Sequence, residues 1–160
     1  MLAASVGVIC SSIVLPFYSL GALVVPITEE FGWSRAEFQL ALLFSTGTGV
    51  ITAPLVGIVI DRLGARVVAL SGLVGLSCAL ILAAFQNGQL WMLYFAYTAM
   101  AFLGAGTIPV TWTRAITSIF VTQRGLALGI MLSGTGICAI TIPQLTVWLT
   151  SEYGWRMAYF

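Results

Sequence analysis

Histidine is absent from these 160 residues, and acids and bases together number eleven. That is 7% of the chain, where a soluble domain carries about a quarter. With 60% hydrophobic residues, too little polar surface remains to cover a water-exposed fold, so the composition specifies an integral membrane protein. The missing histidine removes the general base of a Ser-His hydrolase, and there is no ligand cluster for hydrolytic zinc. An enzyme is therefore not expected, and neither a cofactor nor a bound metal is. A formal net charge of +1 without a basic patch speaks against nucleic acid as a partner. Cys10, Cys78 and Cys138 are odd in number, so they cannot all pair internally. All three lie in apolar runs and read as small packing residues.

The few charges fall in clusters, which mark where the chain meets water. Residues 1–28, 38–60 and 125–151 carry none, and each is long enough for one helix, since a span needs ~20 apolar residues. Residues 67–113 are uncharged but too long for one span, and the polar turn Gln86-Asn87-Gly88-Gln89 divides them. The expected fold is an all-α, polytopic transmembrane bundle with spans at about 4–27, 38–60, 67–85, 90–113 and 125–149, and the start of a sixth at 156–160. The first apolar run lacks a basic leader and is too long for a secretory signal, so it reads as a span.

Arginines set the orientation. A cytosolic N-terminus places Arg62, Arg66, Arg114 and Arg124 on the cytosolic side and Arg35 and Arg156 opposite, the bias expected of the positive-inside rule. A near-repeat agrees. Glu30-Phe31-Gly32-Trp33-Ser34-Arg35 resembles Glu152-Tyr153-Gly154-Trp155-Arg156, and the two lie an even number of spans apart, so they face the same side. Trp33 and Trp155 suit an interfacial aromatic belt. Ser34 can cap the second span, with Glu37 completing a capping box. Together these place a multi-pass protein in the cell's inner or plasma membrane.

Helices in lipid associate through close contact of small residues. Ser45, Gly49, Ala53 and Gly57 form such a stripe on the second span, Ser71, Gly75, Ala79 and Ala83 on the third, and Gly125, Gly129 and Ser133 on the fifth. Pro16, Pro54, Pro109 and Pro143 fall inside spans, where they can bend helices.

The link between the second and third spans is the densest polar feature. Gly57, Asp61, Arg62, Gly64 and Arg66 occupy ten residues. Gly64 permits a turn that other residues would strain, and so short a link makes the two spans antiparallel neighbours. Asp61 is placed to accept a charge-assisted hydrogen bond from an arginine or to face a helix N-terminus. The bland reading is an ordinary positive-inside loop.

This segment resembles the loop between helices two and three of the major facilitator superfamily. Residues 29–35, 54–57, 124–130 and 153–156 are similar to its monocarboxylate-porter and oxalate/formate-antiporter branch. The resemblance implies twelve helices in two six-helix halves that rock between inward-open and outward-open states. This chain then supplies the N-terminal half, with a C-terminal six-helix half as partner and the lipid bilayer around both. It implies that Gly57, Asp61, Arg62, Gly64 and Arg66 hold the inward gate, and that the substrate is a small solute, an organic anion by branch. The chain departs from that pattern in having no basic residue in its first span, and Thr135 stands where the antiporter motif has proline.

In such a fold helices one and four line the cavity. Thr107, Thr111 and Arg114 are spaced to share one helical face. Arg114 reads as an attractor for an anionic substrate, as a member of the gate near Asp61, or as a plain positive-inside residue. Ser11 and Tyr18 share a face of the first span, as cavity lining or, for Tyr18, as core packing. No Asp, Glu or His lies within a predicted span, so a coupling proton would need Asp61 or the other half; substrate exchange and uniport remain open. The competing functional reading is a non-transporting membrane subunit or inactive fragment.

Overall fold

Helix boundaries fall where capping chemistry, glycine or proline dictates them. The computed structural model describes residues 2–12, 14–119 and 124–159. They form α1 (Leu2–Ile9), α2 (Val14–Phe31), α3 (Arg35–Leu63), α4 (Ala65–Ala84), α5 (Leu90–Leu103), α6 (Pro109–Ile119) and α7 (Arg124–Tyr153), with 3-10 turns at Gly104–Thr107 and Trp155–Tyr159. No strand occurs among the described residues. Among the described residues four stretches, Arg35–Leu63, Ala65–Ala84, Leu90–Thr117 and Arg124–Tyr153, are long and apolar enough to cross a bilayer.

Ser34 starts α3 with the expected box. Its hydroxyl accepts from the Glu37 N–H at 3.2 Å, and its own N–H donates to the Glu37 carboxylate at 2.9 Å. Gly64 ends α3 and opens α4 at φ +82° and ψ 149°, a region that only glycine enters cheaply. Its N–H returns to the Ile60 carbonyl at 2.8 Å. The second, third and fifth expected spans therefore match α3, α4 and α7 closely.

The first and fourth expected spans are each interrupted. Residues 4–27 do not form one helix: α1 stops at Ile9, and α2 begins at Val14 and runs on to Phe31. Residues 90–113 likewise divide at the 3-10 turn Gly104–Thr107. Proline accounts for both. A proline ring clashes with the carbonyl four residues earlier, which for Pro16 is Ser12 and for Pro109 is Ala105. Pro16 and Pro109 thus start new helices instead of bending old ones. Pro26, Pro54 and Pro143 are the prolines inside helices. The two breaks satisfy one another. The Ser12 N–H, released from its helix, donates to Thr107 Oγ1 at 2.9 Å.

α3 and α4 pack on α5, while α1 and α2 pack on α7. The tightest crossing joins α4 to the 3-10 turn: a Cβ on Gly106 would stand 2.1 Å from the Val68 carbonyl oxygen, and one on Gly75 would stand 2.6 Å from the Leu103 oxygen. The α4 contact face is therefore Val68, Gly72, Ala79 and Ala83, with Ser71 turned outward. The expected stripe on α7 is also displaced. Gly125, Gly129 and Ser133 are exposed, and Ala127, Met131, Gly134 and Cys138 are the buried face. Cys10 is partly buried and Cys78 exposed, so only Cys138 packs as expected. On α3, Ser45, Gly49 and Ala53 border an open cleft, and Gly57 faces Arg114 of α6.

Where a sixth span is expected to begin, Trp155–Tyr159 makes a 3-10 turn whose Trp155 and Tyr159 enter the main core; Phe160 lies outside the described residues. That core gathers α2, α3, α4 and α5 at one end of the bundle, around Ile27, Phe38, Leu93 and Tyr97.

Candidate functional site

At the other end, the last turn of α3 meets α6. Arg114 Nη1 donates to Asp61 Oδ1 in an ion pair and to the Gly57 carbonyl at 3.4 Å. The side chains are 45% and 67% exposed respectively, so the pair sits at a surface rather than in the core. Gly57 shares this space: a Cβ there would be 3.9 Å from Arg114 Nη2. Beneath lies a small apolar cluster of Val56, Ile60, Val68, Ala105 and Ile108. It fixes α3, α4 and the break ahead of α6 relative to one another. The fold thus brings Gly57, Asp61 and Arg114 together around the Gly64 turn. Arg62 and Arg66 are exposed and form no ion pair among the described residues.

The remaining sequence candidates do not gather on one helical face. Thr107 sits in the 3-10 turn, fully buried, and its hydroxyl donates to the Gly104 carbonyl at 2.8 Å while accepting from Ser12. α6 begins only at Pro109, which removes the continuous helix that the Thr107, Thr111 and Arg114 spacing presumes. Thr111 is fully buried, and its hydroxyl has no hydrogen-bond partner among the described residues. Ser11 is fully buried inside the break between α1 and α2, so it shares no helix with Tyr18. Tyr18 is half-buried, edge-on to Phe17 with ring centroids 5.6 Å apart.

Three residues that were not site candidates line a cleft of about 290 Å³: Ser12, Ser45 and Thr46. Ser45 stands out in the sequence only as one member of a small-residue stripe. The same spacing describes a cleft wall as well as a helix contact.

The near-repeat forms a second polar cluster, opposite the Asp61 end. The Glu30 carboxylate accepts from Trp155 Nε1 and, at 3.1 Å, from Arg156 Nη1. The Arg156 guanidinium lies 4.3 Å over the Trp155 ring. Phe31 stacks on Trp33 at 4.9 Å and meets Trp155 edge-on at 5.8 Å. The two copies therefore share one end, as their spacing requires. Trp155, 4% exposed, is a core side chain there and not part of an exposed belt. Among the described residues no group of His, Cys, Asp or Glu is placed to hold a metal ion.

The sequence that builds this bundle matches a known family. The sequence model of the Major Facilitator Superfamily aligns with residues 2–160. The chain belongs to this superfamily. Among its relatives, it is 31% identical over 142 residues to mouse (Mus musculus) monocarboxylate transporter 14, covering 89% of this chain and 28% of that protein. It is 27% identical over 160 residues to the rat (Rattus norvegicus) monocarboxylate transporter 13, covering 91% and 36%. It is 27% identical over 152 residues to the multidrug resistance protein MdtG of Proteus mirabilis, covering 93% and 36%. The chain spans about a third of the length of these relatives. Family and relatives together support a multi-pass membrane bundle of the transporter type.

Proposed function

We propose that this chain is the N-terminal half of a secondary transporter that moves a small organic anion by alternating access, its N-terminus cytosolic. The carrying observation is the Asp61–Arg114 ion pair across α3 and α6, backed by the Arg114 hydrogen bond to the Gly57 carbonyl. Such a pair supports the gate role of Arg114 over the anion-ligand role, because its charge is already engaged. In this reading Gly57 makes room for the guanidinium and Gly64 shapes the turn. Arg62 and Arg66 reach toward the remaining six-helix half. Ser11, Thr107 and Thr111 build the interior around the helix breaks, and Tyr18 packs beside them.

The test is uptake of labelled small monocarboxylates by the full-length protein in proteoliposomes. A gate contact that biases one state is worth ~1–3 kcal/mol, or about 5–150-fold. Asp61→Asn and Arg114→Gln should each change uptake by at least the lower figure. The swapped pair Asp61→Arg with Arg114→Asp should recover much of it. A substrate-binding Arg114 would not be rescued by the swap. Uptake indifferent to charge reversal at Asp61 would instead support a non-transporting subunit.

A further inference from the structure

Hydroxyls on a membrane helix, exposed or buried, ordinarily bond to a carbonyl one turn back, and this chain follows that habit. Thr48 donates to Phe44 at 2.8 Å, Thr52 to Thr48 at 2.9 Å and Thr98 to Tyr94 at 2.7 Å. Ser71, Ser77, Thr113, Thr141 and Thr146 do likewise. Thr111 and Thr150, away from the cleft lining, break the habit, and so do Ser12, Ser45 and Thr46. Among the described residues the hydroxyls of these last three make no hydrogen bond, although the Ser12 N–H is used. All three line the same cleft. Ser12 is 3% exposed, so its hydroxyl has little access to anything except the cleft.

The rest of the wall is apolar, with Pro16, Val50 and Ile108 among its residues, and among the described residues no charged side chain borders it. A Cβ on Gly49 would touch nothing within 4 Å, which leaves the α3 side of the cleft open. A carboxylate seated here without a cation would lose hydration and gain too little in return. A hydroxyl, carbonyl or amide group suits three hydroxyls, each offering one donor and two acceptor sites.

We infer that Ser12, Ser45 and Thr46 form a neutral hydrogen-bonding subsite for the uncharged polar group of a small amphipathic solute, whose apolar body lies against Pro16, Val50 and Ile108. This rests on the transporter reading only for its biological use; the subsite itself is a binding claim. It separates the labour of recognition: any charge on the solute is read elsewhere in the full protein.

The experiment is equilibrium titration of the purified full-length protein with two probes that differ by one hydroxyl, pentanoate and 4-hydroxypentanoate. The hydroxylated probe should bind roughly 3–10-fold tighter, the worth of one neutral hydrogen bond. Ser45→Ala and Thr46→Val should erase that preference and leave pentanoate binding unchanged, while Thr46→Ser should keep it. Equal binding of both probes, an equal loss for both in the variants, or no binding of either overturns the subsite. Monodisperse elution of each variant guards against misfolding. A hydroxyl preference without uptake into vesicles would remove the transport reading and leave the subsite standing. Uptake without the preference would do the reverse.

Discussion

Arg114 and Gly57 occupy what is in effect one site, since the guanidinium lies over the bare α-carbon and donates to its carbonyl. At 3.9 Å a methyl group fits, so Gly57→Ala should be tolerated, whereas Gly57→Leu should displace Arg114 and mimic its loss in uptake assays. The ion pair is half-exposed, and such pairs contribute ~0–1 kcal/mol to stability. Asp61→Asn should therefore alter uptake while moving the unfolding free energy by less than about 1 kcal/mol. Gly64 is the opposite case. At φ +82° and ψ 149° an alanine would cost about 1–3 kcal/mol, and Gly64→Ala should show this in reversible unfolding from mixed micelles. An unchanged midpoint would mean that the turn relaxes. The glycines and Asp61 were legible because their spacing is local. That Arg114 is the partner was only one of three readings, since the contact spans 53 residues and follows from how α6 is set after its break.

At the scale of elements, charge clusters and caps mark helix ends, which is why α3, α4 and α7 lie close to where hydropathy puts them. The breaks are different. Hydropathy sees the same apolar stretch whether or not it is helical, and proline alone does not distinguish a kink from a new start. Here the distinction comes from partners, since the Ser12 N–H finds Thr107. The small-residue stripes were ambiguous for the same reason: spacing gives a face, not what the face meets. Two substitutions test the assignments. Ser34→Ala removes the α3 cap and should cost about 0.5–2 kcal/mol. Gly106→Ala places a methyl against the Val68 carbonyl, a rigid backbone atom, and should cost ~1–3 kcal/mol or more. An innocuous Gly106→Ala would mean that α4 and the 3-10 turn can part without loss.

For the whole molecule, the polar contacts concentrate at opposite ends. Asp61–Arg114 joins α3 to α6, and Glu30 joins the end of α2 to the segment after α7. They share no residue, and independent sites add to within ~0.3–0.5 kcal/mol. Combining Glu30→Gln with Asp61→Asn should therefore give the sum of the single effects on unfolding. A larger discrepancy would reveal coupling through the bundle. The Glu30 contact also has a history in time. Glu30 and Trp155 lie 125 residues apart, which at ~5–20 residues per second of synthesis is a wait of roughly 6–25 s. During that interval the Glu30 carboxylate has neither its indole nor its guanidinium, and water must serve in their place. A carboxylate at a helix end can wait in that way and one at mid-bilayer cannot, so the order of synthesis itself favours placing this acid where the chain leaves the membrane.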